Sequence, residues 1–396
     1  MDISKLRAET PSCRDIVHFN NAGASPTPEP VHAAVLAHLE RERLVGGYAA
    51  AQTAAEKLTA FYREAAGLIG AAPGEIAFVE NATRAWEMAF YAIAFAPGDR
   101  VLAHVSEYGS NYMALLHKAR THGIVIDWIP SAPTGGVDVA ALSEMITSRT
   151  RLIAITHVPS HSGVVNPAAA VGKVARQYGI PFILDACQSI GQIDLDVAML
   201  GCDMLCATGR KFLRGPRGTG FLYVRKDIIS SLHPPFIDLQ AARWTATHAY
   251  CLHPTAQRFE TWERNVAGQL GLAEAIRYAR NIGLARIEAR NAELAQGLRV
   301  SLLELPGVRL YETGERLCSI ITFTLSGEDP AVTAARLRQS GIMVSVVSCA
   351  QARLDFEARN LESLVRVSIH YFNDSDDIAR FMTVLADKSP QAISSV

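Results

Sequence analysis

The chain has 396 residues, 49% hydrophobic and 19% charged, and a formal net charge of −1 at pH 7. That balance fits one large and one small globular domain and excludes wholesale attraction to nucleic acid or to an anionic membrane surface. Met1 to Pro11 carry no apolar signal core and the longest apolar runs stop short of a membrane span, so the expected location is the cytoplasm.

In chain order, residues 1–18 form an opening segment expected to pack near the small domain and the site. Short apolar runs then alternate with helical stretches, predicting strands at 76–80, 101–105, 125–129, 152–157, 182–185, 204–207 and 220–224. Helices are predicted between them at 83–95, 110–122, 137–147 and 168–178. Several strands are apolar on both faces, as in a sheet covered by helices on each side. The expected fold is α/β: a large domain over 19–263 with a mainly parallel seven-stranded sheet, and a smaller α+β domain over 264–396. The latter begins with a long helical stretch broken near Gly283. Strands at 307–310, 318–325, 341–347 and 364–368 follow, with helices at 330–340 and about 376–387. Seven cysteines form no CxxC pair and no Cys/His cluster, so neither disulfides nor metal are expected. Cys202 and Cys206 read as buried core residues.

The chemistry collects at strand ends, where ligands of such sheets bind. Lys211 lies in a Gly-rich turn between two apolar strands, with Thr208 three positions before it and Arg210 beside it, and flanking glycines are expected to let the backbone bend. Asp185 ends a strand 26 residues upstream. A lysine amine plus a carboxylate that keeps a pyridine nitrogen protonated is what pyridoxal 5'-phosphate requires. A loop lysine is otherwise a solvated charge, and a strand-end aspartate is otherwise a helix cap. Gln188 would reach the cofactor hydroxyl region. Glu80-Asn81-Ala82-Thr83 opens a helix whose first amides, with Ala82 and Thr83 as a capping threonine, make an anion site for phosphate. Tyr108, past the next strand, is placed to stack on a flat ring. His157, Ser160 and His161 follow a further strand, with Ser160 assigned to the cofactor, His161 to the substrate, and the histidine that faces inward left open. Arg366 interrupts an apolar strand where a buried arginine needs an anion, such as an amino-acid carboxylate.

Taken together, Asn81-Ala82-Thr83, Thr156-His157-Val158-Pro159, Asp185-x-x-Gln188, Thr208-Gly209-Arg210-Lys211, Arg258-Phe259-Glu260 and Arg366-Val367-Ser368 resemble the fold-type I pyridoxal phosphate enzymes of the class V aminotransferase family. That cysteine desulfurase-like family includes cysteine desulfurases, selenocysteine lyases, isopenicillin N epimerase-like proteins and an ergothioneine-pathway sulfoxide lyase. The resemblance implies Lys211 as the Schiff-base lysine, Asp185 as partner of the pyridine nitrogen, and Tyr108 in the stacking place that desulfurases fill with histidine. It implies Thr83, Thr208 and Arg210 on the phosphate, Arg366 on the substrate carboxylate, and Asn21 and Ala22 near the substrate. Arg210 departs from the histidine that precedes the lysine in desulfurases. Gly46-Gly47-Tyr48 and the 353–359 segment are similar to the epimerase-like and sulfoxide-lyase branch, which adds Tyr48 to the substrate pocket. A homodimer is also implied, with the stretch around Arg258 and Trp262 completing a neighbour's site.

The expected activity is a β-eliminating carbon–sulfur lyase acting on a cysteine-derived amino acid, a conjugate or sulfoxide, and releasing pyruvate and ammonia. The alternatives are a cysteine desulfurase or selenocysteine lyase using Cys349, an epimerase or aminotransferase, and a non-catalytic binding or regulatory protein that keeps the fold.

Overall fold

The computed structural model describes residues 1–387, so the last part of the 264–396 domain lies outside the described residues. Seven strands form the large sheet: β1 (Ile76–Val79), β2 (Arg100–His104), β3 (Val125–Ile129), β4 (Thr150–Thr156), β5 (Phe182–Asp185), β6 (Met204–Thr208) and β7 (Gly220–Val224). Their order is β1-β7-β6-β5-β4-β2-β3. Only β7 runs against the others. Both faces are buried, which explains the unbroken apolar runs. Along β5, Ile183 joins a cluster with Trp86 and Phe90 on one face, while Phe182 and Leu184 join Phe212 and Leu272 on the other.

Helices α1 (Glu29–Val45), α2 (Ala82–Tyr91), α3 (Gly109–His122), α4 (Ala168–Tyr178) and α5 (Val266–Ile282) belong with this sheet. The expected boundary at residue 264 falls before α5, yet α5 packs on α1 and sends Leu272, Ile276 and Ala279 into the sheet's own cluster. At Gly283 a φ of +96° ends α5 and opens α6 (Leu284–Glu304), whose Leu284 and Ile287 join the same cluster. The smaller unit carries an antiparallel sheet of β8 (Val308–Leu310), β9 (Ile320–Leu325), β10 (Ser345–Ser348) and β11 (Ser363–Ser368), in the order β8-β9-β11-β10, with α7 (Arg353–Ala358) between β10 and β11. The strand expected over 341–347 is broken, because Ile342 and Met343 pair with Val17 and His18 whereas Ser345 onward pairs with β11.

All seven cysteines are free, and no metal-binding cluster occurs among the described residues. No helix there is long and apolar enough to cross a membrane.

Candidate active site

The C-terminal ends of β1, β2, β4, β5 and β6 converge on one cavity of about 490 Å³. Every residue expected to touch the cofactor lines it: Ala82, Thr83, Tyr108, Ser160, Asp185, Gln188, Thr208, Arg210 and Lys211. A parallel sheet explains this convergence, since each crossover returns the chain to the same edge.

The Lys211 turn is built differently from expectation. Gly209 and Gly215 have no positive φ; the left-handed positions are Arg214, at φ +60°, and Gly218, at φ +71°. Gly209 is needed for close approach, because a Cβ there would lie 2.4 Å from the Thr219 hydroxyl and 2.9 Å from Leu272. Arg214 is held by its buried guanidinium, which donates to the Pro26 carbonyl (3.0 Å), the Tyr371 hydroxyl (2.8 Å) and the Thr10 hydroxyl (2.6 Å). These bonds fix an otherwise disfavoured backbone three residues beyond the lysine. Lys211 is 6% exposed. Burial depresses its pKa; Cys187 and Asp185 oppose that shift, while Arg210 and Arg366 add to it.

Asp185 is also buried, and its carboxylate is tied on both oxygens. Oδ2 accepts from the Asn111 amide (2.8 Å) and Oδ1 from the Cys187 backbone N–H (2.9 Å). Among the described residues no cation pairs with it, so a cationic ring nitrogen would supply the charge it lacks. The Tyr108 ring centroid is 6.0 Å from Lys211 Nζ. At the other end, Arg210 donates to the Thr208 hydroxyl (3.3 Å), and Arg217 joins these groups on the cavity wall. The cap of α2 is Asn81 rather than Thr83: the Asn81 side chain accepts from Arg84 N (2.9 Å), leaving Thr83 in the first turn. A helix start, two hydroxyls and two guanidiniums suit a phosphate; an aromatic face, a carboxylate and an amine suit its pyridine ring. The residues present fit pyridoxal phosphate.

The substrate-side expectations fare unevenly. Arg366, on β11, is buried and donates to the Ser160 carbonyl (2.9 Å) and the Asn20 side chain (3.0 Å), while its Nε has no partner. Burial, then Arg210, pull its pKa down to about 10. A guanidinium buried without a carboxylate is a site for an arriving anion. Asn21 is enclosed, donating to the Ser368 carbonyl and accepting from Ser25, and Ala22 accepts from Gln188, so neither lines the cavity. Asn20 reaches Arg366 instead. Tyr48 is 79% exposed and lines a separate hollow with Gln240, Trp262 and Arg264. His161 lies against the Phe356 ring and 3.3 Å from Asp355, and His157 lines another hollow with Asn166; between these two histidines, Val158 and Ser160 face the Lys211 cavity.

Glu80, Asn81 and Thr156, which lie in the motifs quoted above but carried no role of their own, also line it, as do Cys187, Arg217 and Gly218, which were not foreseen. Arg217 had a signal, standing six residues after Lys211 in the same turn. Cys349 follows β10 in a tight turn, where Gln351 N donates to the Ser348 carbonyl (3.0 Å). That turn abuts the start of α3: a Cβ on Gly109, next to Tyr108, would lie 3.1 Å from the Gln351 carbonyl oxygen.

The aminotransferase class-V family model matches residues 17–381. A probable cysteine desulfurase of Methanothermobacter thermautotrophicus is 29% identical, over 96% of each chain. The apo structure of a cysteine desulfurase from Thermococcus onnurineus NA1 superposes with a TM-score of 0.89 at 27% identity, covering 97% of each chain. A mutant of C-DES with glycine covalently linked to its pyridoxal phosphate superposes with a TM-score of 0.88, covering 96% of this chain and 99% of that one; at 22% identity it bears on the fold.

Proposed function

The chain belongs to the aminotransferase class-V family and is a pyridoxal phosphate-dependent enzyme, and from that premise we propose that it cleaves the carbon–sulfur bond of cysteine or a cysteine-derived amino acid. The observation that carries the proposal is the pairing of β10 with β11. It supports the reading because β11 carries Arg366, whose guanidinium donates to the carbonyl of cavity-lining Ser160, and β10 leads into the Cys349 turn, which abuts Gly109 beside Tyr108.

Pyridoxal phosphate, when bound, supplies an electron sink for negative charge at the substrate Cα. Thr83, Thr208, Arg210 and Arg217 would hold its phosphate, Asp185 would pair with its ring nitrogen, and Lys211 would be the amine that carries it. Arg366 binds the substrate carboxylate, which fixes the orientation of the bonds at Cα. The Lys211 amine, biased toward its neutral form by burial, would take the Cα proton.

Cys349 is the sulfur acceptor in the reading its desulfurase relatives favour. Its thiolate attacks the substrate sulfur, the carbon–sulfur bond breaks, and Cβ takes a proton. Cysteine then becomes alanine and Cys349 a persulfide. A second reading, β-elimination from a conjugate or sulfoxide to give pyruvate and ammonia, is favoured by a different observation. Cys349 packs against the apolar cluster of Val347, Phe356 and Leu364 and does not line the cavity. Cys349→Ser separates the two. Under desulfuration, alanine formation falls about a hundredfold, or ~2.7 kcal/mol in the barrier; under elimination turnover stays within a few-fold. Mass spectrometry of the products, with persulfide mapping, reads the outcome.

A homodimer is part of the same proposal. Phe236, Leu239, Trp244, Tyr250 and Trp262 expose large apolar surface on one stretch of the chain, which a second copy would cover. Light scattering that gave a fully active monomer would contradict it. The seven free cysteines support a reducing, cytoplasmic setting.

A further inference from the structure

Behind the ring-binding groups lies a carboxyl group that the proposed chemistry does not use. Glu107 is 4% exposed, directly precedes Tyr108, and has no ion-pair partner among the described residues. Its Oε1 accepts three hydrogen bonds, from the Thr156 hydroxyl, the Asn111 amide (2.8 Å) and the Tyr108 backbone N–H (3.0 Å). Its Oε2 is buried and accepts none. The same Asn111 nitrogen donates its second proton to Asp185 Oδ2 (2.8 Å). An amide has two such protons, so the bond to Glu107 decides where the other one points.

We propose that Glu107 is a positioning residue for the cofactor, acting as a neutral acid that locks Asn111 onto Asp185 while anchoring Tyr108. One side chain thereby registers the carboxylate that meets the ring nitrogen against the aromatic ring that covers the ring face. The neutral form is favoured by deep burial without a cation, against the three hydrogen bonds to Oε1, which favour the anion. A second negative charge one amide away from Asp185, buried and without a cation, would be strongly disfavoured. Burial, then the Asp185 charge, push the Glu107 pKa up to about 7, while the hydrogen bonds from Thr156, Asn111 and Tyr108 hold it down. Ionised, it would also repel the Asp185 carboxylate and compete with it for the cationic ring nitrogen. The inference rests on the roles proposed above for Asp185 and Tyr108.

The test uses full-length apo-protein reconstituted with pyridoxal phosphate, reading cofactor affinity by equilibrium dialysis and its asymmetry by visible circular dichroism. Glu107→Gln keeps the shape and the neutral charge, so affinity should stay within about threefold, with the dichroic band intact. Glu107→Leu removes the acceptor, and affinity should fall about tenfold or more with most of the band lost. Asn111→Ala breaks the same bridge from the other side and should reproduce that loss, which keeps the test decisive if the leucine variant does not fold. Wild-type affinity and dichroism in Asn111→Ala, or in folded Glu107→Leu, would overturn the proposal. A Glu107→Gln variant as impaired as the leucine variant would overturn its neutral form. Asp185→Ala separates the two levels. If it loses both signals while Asn111→Ala keeps them, Glu107 alone has been misread; if it keeps both, the role of Asp185 fails and the proposal with it.

Discussion

The large unit and the small unit each bring a buried charge to the same place, and they treat it in opposite ways. Asp185, at the end of β5, has hydrogen bonds on both oxygens and a supporting layer of Asn111, Glu107 and Thr156 behind it. Arg366, on β11, has two neutral acceptors and one nitrogen with nothing. Fully tied groups suit a ligand that stays, because orientation is fixed before binding. An under-satisfied cation suits a ligand that comes and goes, because each arriving carboxylate relieves a standing desolvation cost. The difference supports the proposed division, with the cofactor held by the large unit and the exchanging substrate by the small one.

The most damaging change to the permanent half is Lys211→Ala. Turnover should fall by at least about 10³-fold, ~4 kcal/mol in the barrier, with loss of the visible band of the lysine-bound cofactor. Borohydride reduction that labels another lysine would break the assignment. For the exchanging half, Arg366→Met should raise KM for the amino acid about 100-fold, ~2.7 kcal/mol, while the cofactor band of the resting protein is unchanged. A variant that lost the cofactor instead would erase the contrast between the units. Gly209→Ala asks how tightly the Lys211 turn is packed. The new methyl meets the Thr219 hydroxyl and Leu272, and should lower stability by about 1–2 kcal/mol in a thermal melt.

The smallest effect sharpens the coupling between halves. Arg366 helps depress the Lys211 pKa, because a nearby positive charge disfavours the protonated amine. Uptake of pyridoxal phosphate by apo-protein needs the neutral amine, so its rate falls on the acid side. Removing the Arg366 charge lets Lys211 hold its proton to higher pH, and that acid limb should move upward in Arg366→Met. An unmoved limb would mean that the two charges do not sense each other.

The permanent half was also the half legible in sequence. Lys211, Asp185, Thr83 and Tyr108 each follow a recognisable apolar strand, and a parallel sheet brings such positions to one edge whatever the details of packing. The exchanging half was less legible, because its geometry depends on contacts between distant segments. Asn20 rather than Asn21 meets Arg366 across 346 residues, and His161 docks α7 instead of facing the cavity. Tyr48 lines a hollow of its own, a placement that no local pattern signals. Glu107 escaped notice since a glutamate just past a strand end reads as solvated, and only the packing of Thr156 and Asn111 around it shows otherwise. Likewise the break at Val344 comes from a chain that leaves one sheet to pair with another, which the largely apolar run over 341–347 does not reveal.

The central claim is that an amino acid anchored at Arg366 loses its sulfur at Lys211. The most direct test incubates the pyridoxal phosphate-loaded protein with cysteine, cysteine S-conjugates and their sulfoxides, and identifies the carbon products by mass spectrometry. The carbon–sulfur bond should be broken in at least one of them, giving alanine or pyruvate in step with released or protein-bound sulfur. Products that all keep that bond, as a sulfur-bearing keto acid or an inverted amino acid, would contradict it.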